Sequence, residues 1–297
     1  MQIISLTIEP ADAGKKVRGI LKGRLGFSAH AIAGLTRTER GILVNGKRAF
    51  STAVLQTGDV LTVDASDRRE TRAQVRPGNW PLEIVWEDEW LMVVNKPAGM
   101  VSLASSFLPE TPTVAGALAW KYGEEQPFHI VNRLDKGTTG LLIVAKCGYV
   151  HNLLRERLHS GQFYREYRGI CHGCPEGLAG TIDLPIGRDE SSGTARRIRP
   201  DGSPAVTHYE VLKTDGMLSL LKLMPETGRT HQLRLHLSAI GHPLAGDWLY
   251  GKEEPALIMR PALHSYALHL LHPVTGEALN LTAPLPEDMT RLDRSIN

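Results

Sequence analysis

Three cysteines in a chain of 297 residues are too few for the disulfide framework of a small secreted protein. Cys171-His172-Gly173-Cys174 has no second Cys pair to complete a zinc site, so these thiols read as incidental in a reducing compartment. No apolar run approaches the roughly 20 residues that cross a bilayer. The start, Met1-Gln2-Ile3-Ile4-Ser5, lacks the charged and apolar segments of a secretory leader, and the expectation is a cytoplasmic protein. The glycines form no phosphate loop of standard spacing, so no nucleotide cofactor is indicated. Net charge is only +2, which does not announce a polyanionic partner. Its distribution does. Lys15, Lys16, Arg18, Lys22, Arg24, Arg37, Arg40, Lys47 and Arg48 face a single acid, Glu39, within residues 15–48, leaving that segment at +8 and the remainder at −6. Such asymmetry is an electrostatic footprint suited to phosphate, although basic clusters also occur as solvated helical faces.

The pattern divides the chain into residues 1–66, a charged linker over 67–81 ending Arg76-Pro77-Gly78-Asn79-Trp80-Pro81, and a larger domain over 82–297. The first part opens like a strand and has a helical middle from Lys15 to Leu35. It ends in two strand-like pieces with Asn45-Gly46 and Gly58-Asp59 as turn signals. The second part mixes strands and helices without regular βαβ spacing. Thr214-Asp215-Gly216 lies between two strand-like runs and marks an antiparallel hairpin. The expected fold class is α+β, with a mixed, mainly antiparallel sheet preceded by a small α/β domain.

Within the larger part, Ile130–Lys146 reads as strand, polar turn, strand, with Asn132, Arg133, Asp135, Lys136, Thr138 and Thr139 in the turn. A carboxylate in such a turn sits on a rigid base, with positive charge nearby in Arg133 and Lys136. Its plain alternative is a turn-capping Asp. A helical stripe over Val150–Leu158 precedes the strand-like Gln162–Ile170, which contains Tyr164 and Tyr167. Further on come Thr227-Gly228-Arg229-Thr230-His231-Gln232-Leu233-Arg234, then Gly241-His242-Pro243 and Gly246-Asp247-Trp248-Leu249-Tyr250-Gly251. There Thr230 reads as the N-cap of a helix toward Ile240, with His231, Arg234 and Ser238 on one face. Leu91–Gly99 is a strand ending in Lys96-Pro97-Ala98-Gly99, and Ala262-Leu263-His264-Ser265 closes the series.

These blocks resemble, in order, the motifs of the RluA-type RNA pseudouridine synthases: H-R-L-D-x-x-T-S-G around the Asp, a basic residue two before the Tyr, T-G-R-T-H-Q-I-R-V-H, and G-D-x-x-Y-G. The chain has Asn132 where His is frequent and Thr139 where Ser is usual. The resemblance implies isomerisation of uridine to pseudouridine in a ribosomal or transfer RNA, needing no metal or other cofactor. It implies catalytic roles for Asp135 as nucleophile or base, for Tyr167 in stacking the uracil and assisting proton removal at carbon five, and for Arg234 paired with the Asp; Tyr164 is the second candidate tyrosine. By the same likeness Arg133, Asn132, Thr138, Thr139, Arg229, His231 and Gln232 would line the substrate. The first part resembles the small α-L RNA-binding domain of a ribosomal small-subunit protein, carried by Val44-Asn45-Gly46 and Gly58-Asp59-Val60-Leu61-Thr62-Val63.

Two other readings stay open. One is a non-catalytic RNA-binding or ribosome-assembly protein derived from a synthase. The other is a metal-dependent hydrolase using His231, His236, His242, His264, His269 and His272, although His231 and His236 are five apart rather than at the i, i+4 spacing of a helical zinc pair. A monomer is expected, since the basic segment would act in cis.

Overall fold

The computed structural model describes residues 2–67, 75–103, 110–158 and 163–296; Gln162 and linker residues 68–74 lie outside them. Strands β1 (Ile3–Thr7), β2 (Ile42–Val44), β3 (Lys47–Arg48) and β4 (Val60–Asp64) form a four-stranded sheet in the order β1-β4-β2-β3. Helices α1 (Val17–Gly23) and α2 (Ala29–Thr36) pack on it. The expected continuous helix from Lys15 to Leu35 is therefore two. Gly26 stands between them in the left-handed region at φ 72°, where glycine is the natural residue, and Ser28 caps α2 by accepting from Ala31 N at 3.1 Å. Asn45 takes φ 51° and Gly46 φ 76°, the two positive values that a type I′ hairpin turn needs.

The large sheet contains β5 (Glu83–Glu87), β6 (Leu91–Lys96), β7 (His129–Ile130), β8 (Thr139–Ala145), β9 (Phe163–His172) and β10 (Ala179–Asp183). A small hairpin, β11 (Ile186–Arg188) with β12 (Arg196–Ile198), interrupts it before β13 (Val206–Thr214), β14 (Leu218–Pro225), β15 (Leu263–Leu271) and β16 (Ala278–Thr282). The order is β10-β13-β14-β9-β15-β8-β6-β5, with β16 on β15 and β7 on β8. Pairings are antiparallel except β15 with β8, which is parallel. Thr214 to Gly216 does turn β13 into β14. Helices α3 (Val114–Tyr122), α4 (Gly148–Arg157), α5 (Gln232–Ala239) and α6 (Glu287–Ser295) complete the fold.

Side-chain alternation along the central strands explains why this sheet has two cores. Leu91 and Val93 of β6, with Leu141, Ile143 and Ala145 of β8, join one cluster together with α4 and the first sheet's Leu61 and Val63. Met92, Val94, Leu142 and Val144 face the other way, into a cluster with α3, Tyr167 and Leu233 and Leu237 of α5. The small N-terminal unit thus lies on one face of the large sheet and the candidate site on the other. Phe27 stacks on Tyr149 of α4 with ring centroids 4.2 Å apart, and the Tyr149 hydroxyl donates to Leu25 O at 2.7 Å.

Candidate active site

Asp135 lies in the loop between β7 and β8. The loop is anchored on both sides. Ile143 N of β8 donates to Asn132 Oδ1 at 2.8 Å, and Thr138 N donates to Asp135 O at 3.1 Å. β8 then runs against β15 so closely that a Cβ on Gly140 would lie 2.2 Å from Ser265 O. Gly140 has φ 105°, and only glycine satisfies both demands.

Arg234, on α5, points its Nη1 at Asp135 Oδ2 at 3.5 Å. Its closer partner is Asp247, engaged through Nε and Nη2 at 2.7 Å each. Asp247 is fully buried. Burial opposes the guanidinium charge, but the Asp247 carboxylate outweighs it and raises the Arg234 pKa above its ordinary value. Asp247 also accepts from the amides of Leu249 and Tyr250 at 3.1 and 3.2 Å, and the Tyr250 ring lies under the guanidinium at 5.2 Å. Arg234 is therefore a buried, fixed cation rather than a solvated helix residue.

His231 brings Nε2 to 4.0 Å from Asp135 Oδ1, while its Nδ1 lies 2.9 Å from the Tyr250 hydroxyl. Burial pushes its pKa down; Asp135 opposes this and the Arg234 and Arg196 charges add to it, favouring the neutral ring. The helix start differs from the expected Thr230 cap. His231 itself occupies the cap position, at φ 59°, a left-handed conformation rare for a residue with a Cβ. Such strain clusters at functional sites, and here the bond to Tyr250 accompanies it.

Tyr167 sits in β9 between Leu223 of β14 and Ser265 of β15. The register shifts by one residue between Ser265 and Ala267, a bulge of the kind that re-aims a side chain. Tyr167 is buried, and burial pushes its phenol pKa up; Asp135 is close enough that its charge adds to the rise. Tyr164 spends its hydroxyl on Glu166 at 3.0 Å.

Several expected substrate residues prove to be occupied inside the protein. Gln232 accepts from Thr227 Oγ1 at 2.7 Å and Arg229 N at 3.0 Å, and donates to Val206 O and Thr207 Oγ1. The Thr139 hydroxyl meets His264 Nδ1 at 2.8 Å. Thr138 is buried, and Asn132 holds the β8 backbone while its Nδ2 is buried without a partner. Arg133 and Arg229 remain exposed. Arg229 lines a groove of about 370 Å³ with Arg188 and Arg196, and with Arg199, whose guanidinium is forked on Asp201 in the same wall; Arg196 N donates to the Tyr250 hydroxyl at 2.8 Å. This basic groove therefore adjoins the Asp135 cluster.

Pattern reading missed Asp247, Tyr250 and Lys96, although their motifs were in view. Lys96 is wholly buried, donating to Pro97 O at 3.0 Å, Met100 O at 2.8 Å and Lys136 O at 3.5 Å. Burial pushes its pKa down to about 7, against the pull of Asp135.

The histidines do not form one donor set. His236 is held by Thr207 and Leu184, His242 by His172 O, His269 by Asn280 and His272 by Asp88. Among the described residues no three metal-ligating side chains converge, which leaves the hydrolase reading without a site.

Comparison with known proteins agrees with this geometry. The model of the RNA pseudouridylate synthase family matches residues 90–239. An uncharacterised RNA pseudouridine synthase of Bacillus subtilis is 36% identical over 93% of this chain and 97% of its own length. Ribosomal large subunit pseudouridine synthase D of Escherichia coli O157:H7 is 37% identical over 86% of this chain and 82% of its own. The structure of human RNA pseudouridylate synthase domain containing 4 superposes with a TM-score of 0.57 at 26% identity, covering 70% of this chain and 90% of that one. Among the described residues no helix is long and apolar enough to cross a membrane. The chain belongs to the RNA pseudouridine synthase family and isomerises uridine in RNA.

Proposed function

We propose that the chain modifies a ribosomal RNA in the cytoplasm as a monomer, with Asp135 as the reacting carboxylate. The observation that carries this is the convergence of Asp135, Arg234 and His231, with the buried Tyr167 close enough to feel the Asp135 charge, beside an arginine-lined groove. The E. coli relative is named for the large ribosomal subunit, which favours that RNA over a transfer RNA. A uridine within a duplex is out of reach, so it is flipped out or taken from a loop, at a cost of a few kcal/mol. Asp135 opens the glycosidic bond as nucleophile or base. Arg234, immobilised by Asp247, supplies fixed positive charge that needs no reorganisation when the bond breaks. Tyr167 offers a ring face to the uracil. Its hydroxyl assists removal of the proton at carbon five, and burial raises the phenol pKa. Arg133 and the groove arginines hold the flanking phosphates.

The test maps pseudouridine in total RNA from cells with and without the protein. A site lost on deletion, restored by the wild type and not by Asp135→Asn, is the expected result. Restoration by the Asn variant removes Asp135 from the chemistry. A lost site in transfer RNA alone removes the ribosomal substrate.

A further inference from the structure

Every carbonyl of the turn Asp135-Lys136-Gly137 is held. Asp135 O accepts from Thr138 N, and Lys136 O accepts from Gly99 N at 2.9 Å. Gly137 O accepts from Arg260 Nη1 at 3.1 Å. The first bond is internal to the turn, and the second ties it to the loop after β6. The third comes from a side chain more than 120 residues away, which is itself buried. The same Nη1 reaches Pro261 O at 3.1 Å and Leu263 O at 3.2 Å, where β15 begins beside β8. The rest of the guanidinium is a fork on Asp288, with Nε at 2.7 Å and Nη2 at 2.8 Å from its two oxygens. Asp288 lies in the first turn of α6, and its Oδ1 also accepts from Met289 N at 2.8 Å. Met289, Leu292 and Ile296 anchor that helix in a small core with Ile170, Ala245 and Ala262. A groove of about 970 Å³ runs past Arg260 and Asp288, and Asp288 is 31% exposed at its side chain.

A fork to a carboxylate fixes both the position and the plane of a guanidinium. Without Asp288, Arg260 could swing into the groove and release Gly137. We infer that Asp288 and Arg260 are positioning residues for the isomerisation, through which the C-terminal helix sets the place of the Asp135 turn. Their contacts run to the backbone of the turn and of β15, not to the Asp135 carboxylate. The inference rests on Asp135 being the reacting group. A carboxylate displaced by 1 Å costs on the order of 100-fold in rate, whereas RNA binding depends on charges elsewhere.

The experiment uses the full chain and a large-subunit ribosomal RNA transcript tritiated at uridine carbon five, whose tritium is released when that carbon bonds to the ribose. Rates are read at saturating RNA, with KM from their concentration dependence. Asp288→Asn, which keeps shape but loses charge, is expected to lower kcat about tenfold or more with KM within about twofold. Asp288→Glu is expected to restore most of the rate. Phe27→Ala is the control: it opens the core on the other face of the sheet, away from α6 and the fork, and is expected to lose stability while keeping kcat. A normal kcat for Asp288→Asn overturns the inference, as does a loss of kcat in Phe27→Ala that matches it. If the wild type releases no tritium from ribosomal or total cellular RNA, the fault lies with the functional reading. If it does and Asp135→Asn does not, the comparison of Asp288 variants stands on its own.

Discussion

Asp247 shows why a buried charge cannot be judged by its own exposure. It is sealed from water, but Arg234 and two backbone amides satisfy it. Asp247→Ala would strand the guanidinium, and breaking a buried pair of this type costs about 3–5 kcal/mol. Urea unfolding should register that loss, and pseudouridine formation should fall with it. Arg234→Lys is expected to be milder in stability but still poor in turnover, because an ammonium cannot span Asp247 and Asp135 at once. Normal turnover by the Lys variant would show that charge alone suffices. Sequence motifs singled out Asp135, Tyr167 and Arg234, because each lies in a short distinctive run, and the fold brings the three together. They could not tell an outward polar group from an inward one. Gln232 and Thr139 sit in the same runs, and their bonds go to Thr207 and His264, partners fixed only by the fold. The left-handed His231 was equally illegible, since the contact that accompanies it comes from Tyr250, 19 residues later.

Among the elements, β8 was readable and α1–α2 only partly so. A strand buried on both faces leaves a continuous apolar run, Leu141 to Ala145, bounded by turn residues. The break between the first two helices left only Gly26 and Ser28 as signals within a basic stretch. The pairing of β8 with β15 joins residues over 120 apart, and local pattern does not reach that far. That junction holds His264. Its Nε2 lies 3.1 Å from Ala283 O, which can only accept, so Nε2 carries the proton and Nδ1 accepts from Thr139. Burial pushes its pKa down to about 4. The unfolded chain, with a His near 6.5, then binds more protons between those values than the folded one. Stability therefore rises with pH across that window: the contribution of neutral His264 is complete above about 6.5 and is lost as pH falls toward 4, amounting to about 3 kcal/mol. His264→Gln can keep one donor and one acceptor but does not titrate. Its unfolding free energy should be flatter than wild type between pH 6.5 and 4.5, and parallel curves would exclude His264 as the source.

On the scale of the molecule, the two units suggested by composition share one core. Residues 82–297 read as a self-contained pattern, yet one face of their sheet is covered by the N-terminal unit, with Phe27 on Tyr149 and Leu61 and Val63 in the same cluster as Leu91 and Leu141. A chain beginning at Leu82 would uncover that face, so deletion confounds packing with charge. Substitution in place separates them. Phe27→Ala should cost about 3–5 kcal/mol and leave the salt dependence of RNA binding unchanged. The basic residues divide as well: Lys15 and Arg24 are paired with Asp12, and Arg48 lies over Phe50. Lys16, Arg18, Lys22, Arg37, Arg40 and Lys47 are exposed and are the better phosphate contacts. If they grip RNA, changing these six to Gln should leave the melting temperature near wild type and weaken binding to ribosomal RNA. Each contact contributes about −0.7 to the log–log salt slope on single strands and about −0.9 on a B-form duplex, so losing even three flattens the slope by about 2. Equal slopes for the two proteins would assign the N-terminal unit to covering the sheet, and RNA binding to the arginine groove beside Asp135.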